Sequence, residues 1–281
     1  MNPASSHADH CARFRRLHTQ APLVLANAWD AASARVIEHA GASAIATTSA
    51  GIAWAHGYGD GQRLTREEMI AAIARIVRAV SIPVTADIEG GYGAGTPAEV
   101  AQTVREVIAV GAVGINLEDA PGVDGAALLS SDVQVERIQA ARAAASAMGA
   151  DLFINARTDV FLSAVGAPES RLAEAIRRAM LYRAAGADGV FVPGVIDALT
   201  IAGLVSAIDC PVNIMAMPGA PSIAALAQQG VARVSLGSGL AQLALASTRQ
   251  ATLELLEQGT YNALERSLPF GEIDGLFTRG Q

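Results

Sequence analysis

Lysine is missing altogether: all 20 basic residues of this 281-residue chain are Arg. A chain without Lys cannot form a Schiff base with a carbonyl substrate or with pyridoxal phosphate. Nor can it carry a phosphate-binding loop ending in Gly-Lys-Ser/Thr. Cysteine is scarce, and Cys11 and Cys210 make no disulfide framework. No run approaches the ~18 uninterrupted apolar residues of a membrane span, and the first twenty residues lack the apolar core of a secretory signal. The net charge of −7 argues against the net-positive face of a nucleic-acid binder. The resulting expectation is a cytoplasmic protein with no nucleic-acid or membrane partner. Aromatics are only 4% of the chain, so its core must be packed from small and aliphatic side chains.

From about Ala21 onward two textures alternate. Short Val/Ile-rich runs read as buried strands at Leu23–Asn27, Ala44–Thr48, Val84–Ile88, Gly114–Glu118, Leu152–Ala156, Gly189–Val192, Val212–Met215 and Arg233–Leu236. Ala/Arg/Glu segments with 3.6-residue periodicity read as helices between and after them, starting near Asp30, Thr65, Pro97, Ser131, Pro168, Asp197, Ile223 and Gly239. Strict alternation over roughly 240 residues predicts a (β/α)8 TIM barrel, a fold of ~250 residues. An open doubly wound sheet is the competitor. The expected organisation is one barrel domain over 1–281, with an N-terminal helical arm at 1–20 and a C-terminal helical extension at 241–281. The His7/His10/Cys11 cluster reads as part of a disordered arm and not as a metal site. Residues 49–60 read as a Gly-rich loop.

In a barrel the catalytic face lies at the carboxyl ends of the strands. Asp87, Glu89 and Glu118 end neighbouring strands there, and like charges that close repel unless a cation sits among them. Oxygen ligands without His or Cys suit Mg²⁺; the competing reading is that each carboxylate caps a loop or pairs with an Arg. Arg157, one strand further, offers a fork for a carboxylate or an enolate oxygen, or else an ion pair with Asp159 or Glu118. Ser49 and the N–H groups after it could hold a second carboxylate, and Asn213 lies within the seventh strand.

Several motifs occur in a fixed order: Thr48-Ser49-Ala50-Gly51, Asp60, Asp87-Ile88-Glu89-Gly90-Gly91-Tyr92-Gly93, Asn116-Leu117-Glu118-Asp119 and Asn155-Ala156-Arg157-Thr158-Asp159. This set resembles the isocitrate lyase and phosphoenolpyruvate mutase superfamily. The resemblance implies a barrel that uses Mg²⁺, or Mn²⁺ in its place, and acts on 2-oxo or 2-hydroxy acids through an enolate-like intermediate. It implies Asp87, Glu89 and Glu118 as the metal-side residues, with Asp87 touching the ion and Asp60, Glu89 and Glu118 acting through its water shell. Arg157, Glu118 and Asp60 are the implied catalytic residues. Ser49, Ala50, Gly51, Arg157 and Asn213 form the expected substrate-binding set. The family's habit of packing its last helix on a neighbouring barrel implies a homo-oligomer, a dimer or a tetramer.

The departures narrow the expected chemistry. Carbon–carbon lyases of the family follow Glu-Asp with a loop holding Lys-Lys-Cys-Gly-His or Lys-Arg-Cys-Gly-His, whose Cys is the general acid. Here the loop Ala120-Pro121-Gly122-Val123-Asp124-Gly125-Ala126-Ala127-Leu128-Leu129 holds no Cys, His or Lys. It also lacks the Lys and Asn of phosphonate-handling members. Cys210 precedes its strand and should face the opposite end of the barrel. The expectation is a Mg²⁺-dependent lyase for a small 2-oxo or 2-hydroxy (di)carboxylic acid, by C–C cleavage or decarboxylation, with an oxaloacetate-like substrate favoured. The alternatives are a phosphonopyruvate/phosphoenolpyruvate-type mutase or hydrolase, and a non-catalytic dicarboxylate-binding barrel.

Overall fold

The computed structural model describes residues 7–19, 22–120 and 128–278. Nine short strands form one sheet: β1 (Leu23–Leu25), β2 (Asn27–Ala28), β3 (Ile45–Thr47), β4 (Val84–Asp87), β5 (Gly114–Glu118), β6 (Phe153–Arg157), β7 (Gly189–Val192), β8 (Val212–Met215) and β9 (Arg233–Ser235). Their order is β1-β9-β8-β7-β6-β5-β4-β3-β2. β1 and β2 are halves of one segment interrupted only at Ala26, the first half pairing with β9 and the second with β3, both in parallel. The circle therefore closes, and the eight expected strands make the (β/α)8 barrel.

The helices are α1 (His7–Leu17), α2 (Ala31–His39), α3 (Ser49–Ala55), α4 (Arg66–Ala79), α5 (Pro97–Ala109), α6 (Ser131–Ala147), α7 (Arg171–Ala184), α8 (Ala198–Ala207), α9 (Ile223–Gln228), α10 (Gly239–Gln258) and α11 (Phe270–Thr278). Thr65 and Thr96 start α4 and α5 with reciprocal capping boxes to Glu68 and Glu99, which satisfy donors the first helical turn leaves open. Ser130 caps α6, its hydroxyl accepting from the Val133 N–H. Two elements depart from expectation. The stretch read as a Gly-rich loop opens with α3, because the Thr48 hydroxyl accepts from the Gly51 N–H and starts a helical turn. The expected N-terminal arm carries the helix α1, but the His7/His10/Cys11 cluster read as disordered is part of it: Cys11 and Phe14 are buried with Leu23, Val113 and Phe153 at the amino ends of the strands. Phe14 meets Phe153 edge-on at 5.7 Å, and His18 stacks on Phe153 at 4.0 Å. Burial pushes His18 down to about 3, so it sits there as a neutral ring. α1 is thus the plug of the barrel's closed end, and the order of its side chains follows from what they bury.

Between plug and mouth the barrel interior is polar. Asn155 Nδ2 donates to Asn116 Oδ1 at 2.9 Å and to Asn213 Oδ1 at 3.1 Å. Arg233 Nη2 donates to the same Asn116 oxygen at 3.3 Å. These four side chains are all buried, a layer whose mutual hydrogen bonds offset the cost of desolvating amides.

Candidate active site

The carboxyl ends of β3 to β6 and the turns after them carry the acidic residues. β4 ends at Asp87, and the turn that follows carries the fully buried Ile88 and then Glu89. In register, Asp87 stands beside Asn116, and Glu118 stands beside Arg157 two residues further along β5 and β6 towards the mouth. The Glu118 N–H donates to the Glu89 carbonyl at 3.0 Å, tying the turn after β4 to β5.

Asp87 is held from one side only. Its Oδ2 accepts from the Ser49 hydroxyl at 2.8 Å and the Ser49 N–H at 3.3 Å. Its Oδ1 is buried with no hydrogen-bond partner among the described residues. The Asp87 N–H donates to the Thr47 hydroxyl at 2.8 Å. Glu89 accepts from the Gln62 N–H at 2.6 Å and from the Tyr92 hydroxyl at 2.9 Å. Burial, reinforced by the charges of Asp87 and Asp60, pushes its carboxyl up to about 7. Three non-glycine residues here adopt left-handed backbone: Gln62 at φ 57°, Glu89 at 49° and Tyr92 at 61°. Such conformations cost on the order of 1–3 kcal/mol each and collect at functional sites. Asp60 is exposed, on the loop that brings Gln62 to Glu89.

Arg157 makes the ion pair expected as the competing reading, and makes it with both carboxylates. Its Nη1 pairs with Glu118 at 2.8 Å, while Nε and Nη2 grip Asp159 at 2.6 and 2.8 Å. A guanidinium has five N–H donors, so about two remain for a ligand. Burial, only partly offset by Arg157, holds the Glu118 carboxyl well above its usual range. Behind these residues Asp119 accepts from the Asp159 N–H at 3.0 Å, the Tyr182 hydroxyl at 2.7 Å and Arg178 Nη1 at 3.0 Å. The same Arg178 nitrogen donates to the Leu129 carbonyl at 2.9 Å, and the Leu129 N–H returns to the Asp119 carbonyl at 2.9 Å. The two ends of the loop without Cys, His or Lys are thereby stitched together; its residues 121–127 lie outside the described residues.

The expected residues separate into two groups. Ser49, Asp87, Glu89, Glu118 and Arg157 meet at the mouth, with Asp60 at its edge. Ala50 and Gly51 follow Ser49 in the first turn of α3, buried against the barrel. A Cβ on Gly51 would stand 2.9 Å from the Trp29 Cβ, so that helix packs closely only as glycine. Asn213 lies deeper, both ends of its amide committed to Asn155, Ser235 and main-chain carbonyls. Cys210 precedes β8 at the far end, its thiol pushed up to about 11 by burial. Gln62, Arg137, Arg178 and Tyr182 escaped the sequence reading, and Tyr92 and Asp119 stood in its motifs without a role. Buried arginines on the core-facing side of α6 and α7 were the visible signal, since a charge among Ile and Ala at helical spacing needs a polar partner.

Among the described residues, no three His, Cys, Asp or Glu side chains converge into a ready metal cage. Mg²⁺ does not require one: it retains several waters and takes one or two carboxylates. The buried Asp87 Oδ1, with no hydrogen-bond partner among the described residues, could be that direct ligand, and Glu89, Glu118 and Asp60 would be the acceptors for its waters. The donor set fits a hard, hydrated cation.

A family model described as phosphoenolpyruvate phosphomutase matches residues 14–256. The chain belongs to this family. It is 36% identical over 264 residues to the uncharacterized protein Rv1998c of Mycobacterium tuberculosis (strain ATCC 25618 / H37Rv), covering 92% of this chain and 94% of that one. It is 31% identical over 221 residues to an oxaloacetate decarboxylase of Bradyrhizobium sp. (strain ORS 278), covering 75% and 71%. A lyase/mutase candidate solved from Burkholderia cenocepacia J2315 superposes with a TM-score of 0.91 at 37% identity, over 98% of each chain. The family sits in a superfamily of lyases and mutases that generally depend on Mg²⁺. The chain is an enzyme of this carbon–carbon lyase/mutase type. No helix among the described residues is long and apolar enough to cross a membrane.

Proposed function

We propose that this enzyme is a Mg²⁺-dependent lyase for a small 2-oxo or 2-hydroxy (di)carboxylic acid, and that it breaks a C–C bond, favouring decarboxylation of an oxaloacetate-like substrate. The observation that carries the reading is the half-held Asp87 carboxylate beside the Glu118–Arg157–Asp159 chain. A bound Mg²⁺ would act as a Lewis acid that draws off enolate charge. Arg157 directs its two uncommitted N–H groups at the developing oxyanion, and its ion pairs with Glu118 and Asp159 fix that aim before substrate arrives. Ser49, Ala50 and Gly51 form the facing wall for a substrate carboxylate, and Asn213 supports the polar layer below. In decarboxylation the electron pair of the broken bond flows into the 2-oxo group, CO₂ leaves, and the enolate takes its proton from solvent. No side-chain acid is needed for that step, which suits a loop 120–129 without Cys, His or Lys. Cleavage of a 2-methylisocitrate-like substrate, and mutase chemistry on a phosphonate, both ask more of that loop.

A homo-oligomer and a cytoplasmic setting belong to the same proposal. α10 buries only Ala241 and leaves Leu243, Leu253, Leu255 and Leu256 exposed. Where a barrel's last helix ordinarily covers its first strand, an apolar groove of about 660 Å³ lies open along Leu23, Val24, Val36 and Ile37. The α10 of a second copy supplies the matching surface. Cys11 and Cys210 are both unbridged, as a reducing compartment keeps them.

The test is turnover of oxaloacetate, 2-methylisocitrate, 2,3-dimethylmalate and phosphonopyruvate with Mg²⁺ and with EDTA. Metal-dependent loss of oxaloacetate to pyruvate, faster than any other member, is expected. No turnover of any member while oxalate still binds saturably overturns the lyase reading. Faster cleavage of 2-methylisocitrate overturns the substrate assignment.

A further inference from the structure

Two arginines stand behind the acidic mouth, and they are partnered differently. Arg178 has a carboxylate, Asp119. Arg137, on α6, is 1% exposed and makes no ion pair among the described residues. Its Nη1 donates to the Glu118 carbonyl at 3.2 Å and to Gln134 Oε1 at 2.5 Å, and its Nη2 donates to the Gly90 carbonyl. Gln134, one turn earlier and fully buried, donates in turn to the Leu117 carbonyl at 3.2 Å. Apart from Gln134, the contacts of Arg137 thus fall on the main chain of two places: Gly90, the residue after Glu89, and Glu118 itself. The first adjoins the metal-side carboxylate of Glu89 and the second carries that of Glu118. A cation held by carbonyls and an amide lacks the compensation a carboxylate gives, and an uncharged donor would hold a structural turn at lower cost. Gly90 makes room for this contact: a Cβ there would stand 3.4 Å from Arg137 Nη2 and 2.9 Å from Gln62 Nε2.

We infer that Arg137 is a positioning residue for the metal site: its planar fork spans the Gly90 and Glu118 carbonyls and thereby sets the spacing of the Glu89 and Glu118 carboxylates, on adjoining turns, to one hydrated cation. A guanidinium does this and an ammonium does it poorly, because two carbonyls on different strands need two donors in one rigid plane. The positive charge also stands on the main-chain side of the acidic cluster, where it reduces the repulsion that would drive the two turns apart before metal arrives.

The inference rests on the metal reading above, and its test keeps the two apart. Mg²⁺ binding is measured by calorimetry, without substrate, on wild type, Arg137→Gln and Arg137→Lys, alongside melting curves and steady-state kinetics on whichever panel substrate is turned over. Loss of an outer-shell support weakens metal binding or activity by about 10–100-fold. Arg137→Gln is expected to raise the Mg²⁺ Kd by about that factor and to lower kcat, with substrate KM at saturating Mg²⁺ changed far less; Arg137→Lys should recover part of the loss. A folded Arg137→Gln protein that binds Mg²⁺ within twofold of wild type overturns the inference and leaves the metal reading standing. Failure of both variants to fold also overturns it, since the role is then in folding alone. If wild type binds no Mg²⁺, the metal reading falls and takes this inference with it.

Discussion

Glu89→Gln should change how the stability of the metal-free protein depends on pH. Burial and the charges of Asp87 and Asp60 raise Glu89 from 4.5 to about 7. Its folded pKa lies above the unfolded one, so the folded state holds this proton more tightly. The associated stability is fully present below about pH 4.5 and is lost as the pH rises through about 7. At about 1.4 kcal/mol per tenfold change, the whole shift corresponds to about 3 kcal/mol, of which about 2–3 kcal/mol falls between pH 5 and pH 8. Glu89 is 3% exposed, so solvent screening takes little of this away. Gln cannot ionise and keeps an acceptor for the Tyr92 hydroxyl, although its NH₂ meets the Gln62 N–H less well. Urea unfolding in EDTA at both pH values should show wild type losing about 2–3 kcal/mol more than Glu89→Gln on going to pH 8. Comparing the two proteins removes the titration of Glu118 and the other acids from the result. Equal pH slopes would refute the claim that Glu89 is a buried acid crowded by like charges.

Three further outcomes follow from the same geometry. Arg157→Lys loses the fork on Asp159 and one oriented donor at the mouth, so kcat on the productive substrate should fall by about 10²–10³; steady-state kinetics that stay within threefold would remove Arg157 from the oxyanion role. Arg178→Met strands the Asp119 carboxylate in a fully buried position and should cost about 3–5 kcal/mol in denaturant unfolding, with Asp119→Asn in the same background restoring part; a loss below about 1 kcal/mol would mean the pair is dispensable. Leu253→Glu together with Leu256→Glu on exposed α10 should lower the mass seen by light scattering, whereas an unchanged oligomer would place the subunit contact elsewhere.

Much of the barrel was legible because parallel strands buried on both faces read as apolar runs, and because Gly, Pro and Thr mark the joints. Gly114–Glu118, Gly189–Val192 and Val212–Met215 have the bounds their sequence suggests. The single run at Leu23 divides at Ala26, its first half pairing with β9 and its second with β3. α3 was hidden because Ser-Ala-Gly carries no apolar period; the helix follows from the Thr48 cap and from packing on Trp29. The helical arm at 1–20 was expected, but its role as a plug was hidden because its apolar residues are few, and only the amino end of the barrel gives Phe14 and Cys11 something to bury against. At the site, the carboxylates and Arg157 were readable from their places at strand ends. Their supports were not. Gln62 reaches Glu89 from another loop, and Arg137 and Arg178 reach in from helices, contacts that no spacing along the chain records.

The central claim is that Asp87, at the floor of the acidic mouth, takes Mg²⁺. Calorimetric titration of Mg²⁺ into the EDTA-stripped protein and into Asp87→Ala measures it directly. Saturable one-site binding in wild type, lost in a folded Asp87→Ala protein, is the expected result. Equal affinity in both proteins, or no binding in wild type, would contradict it.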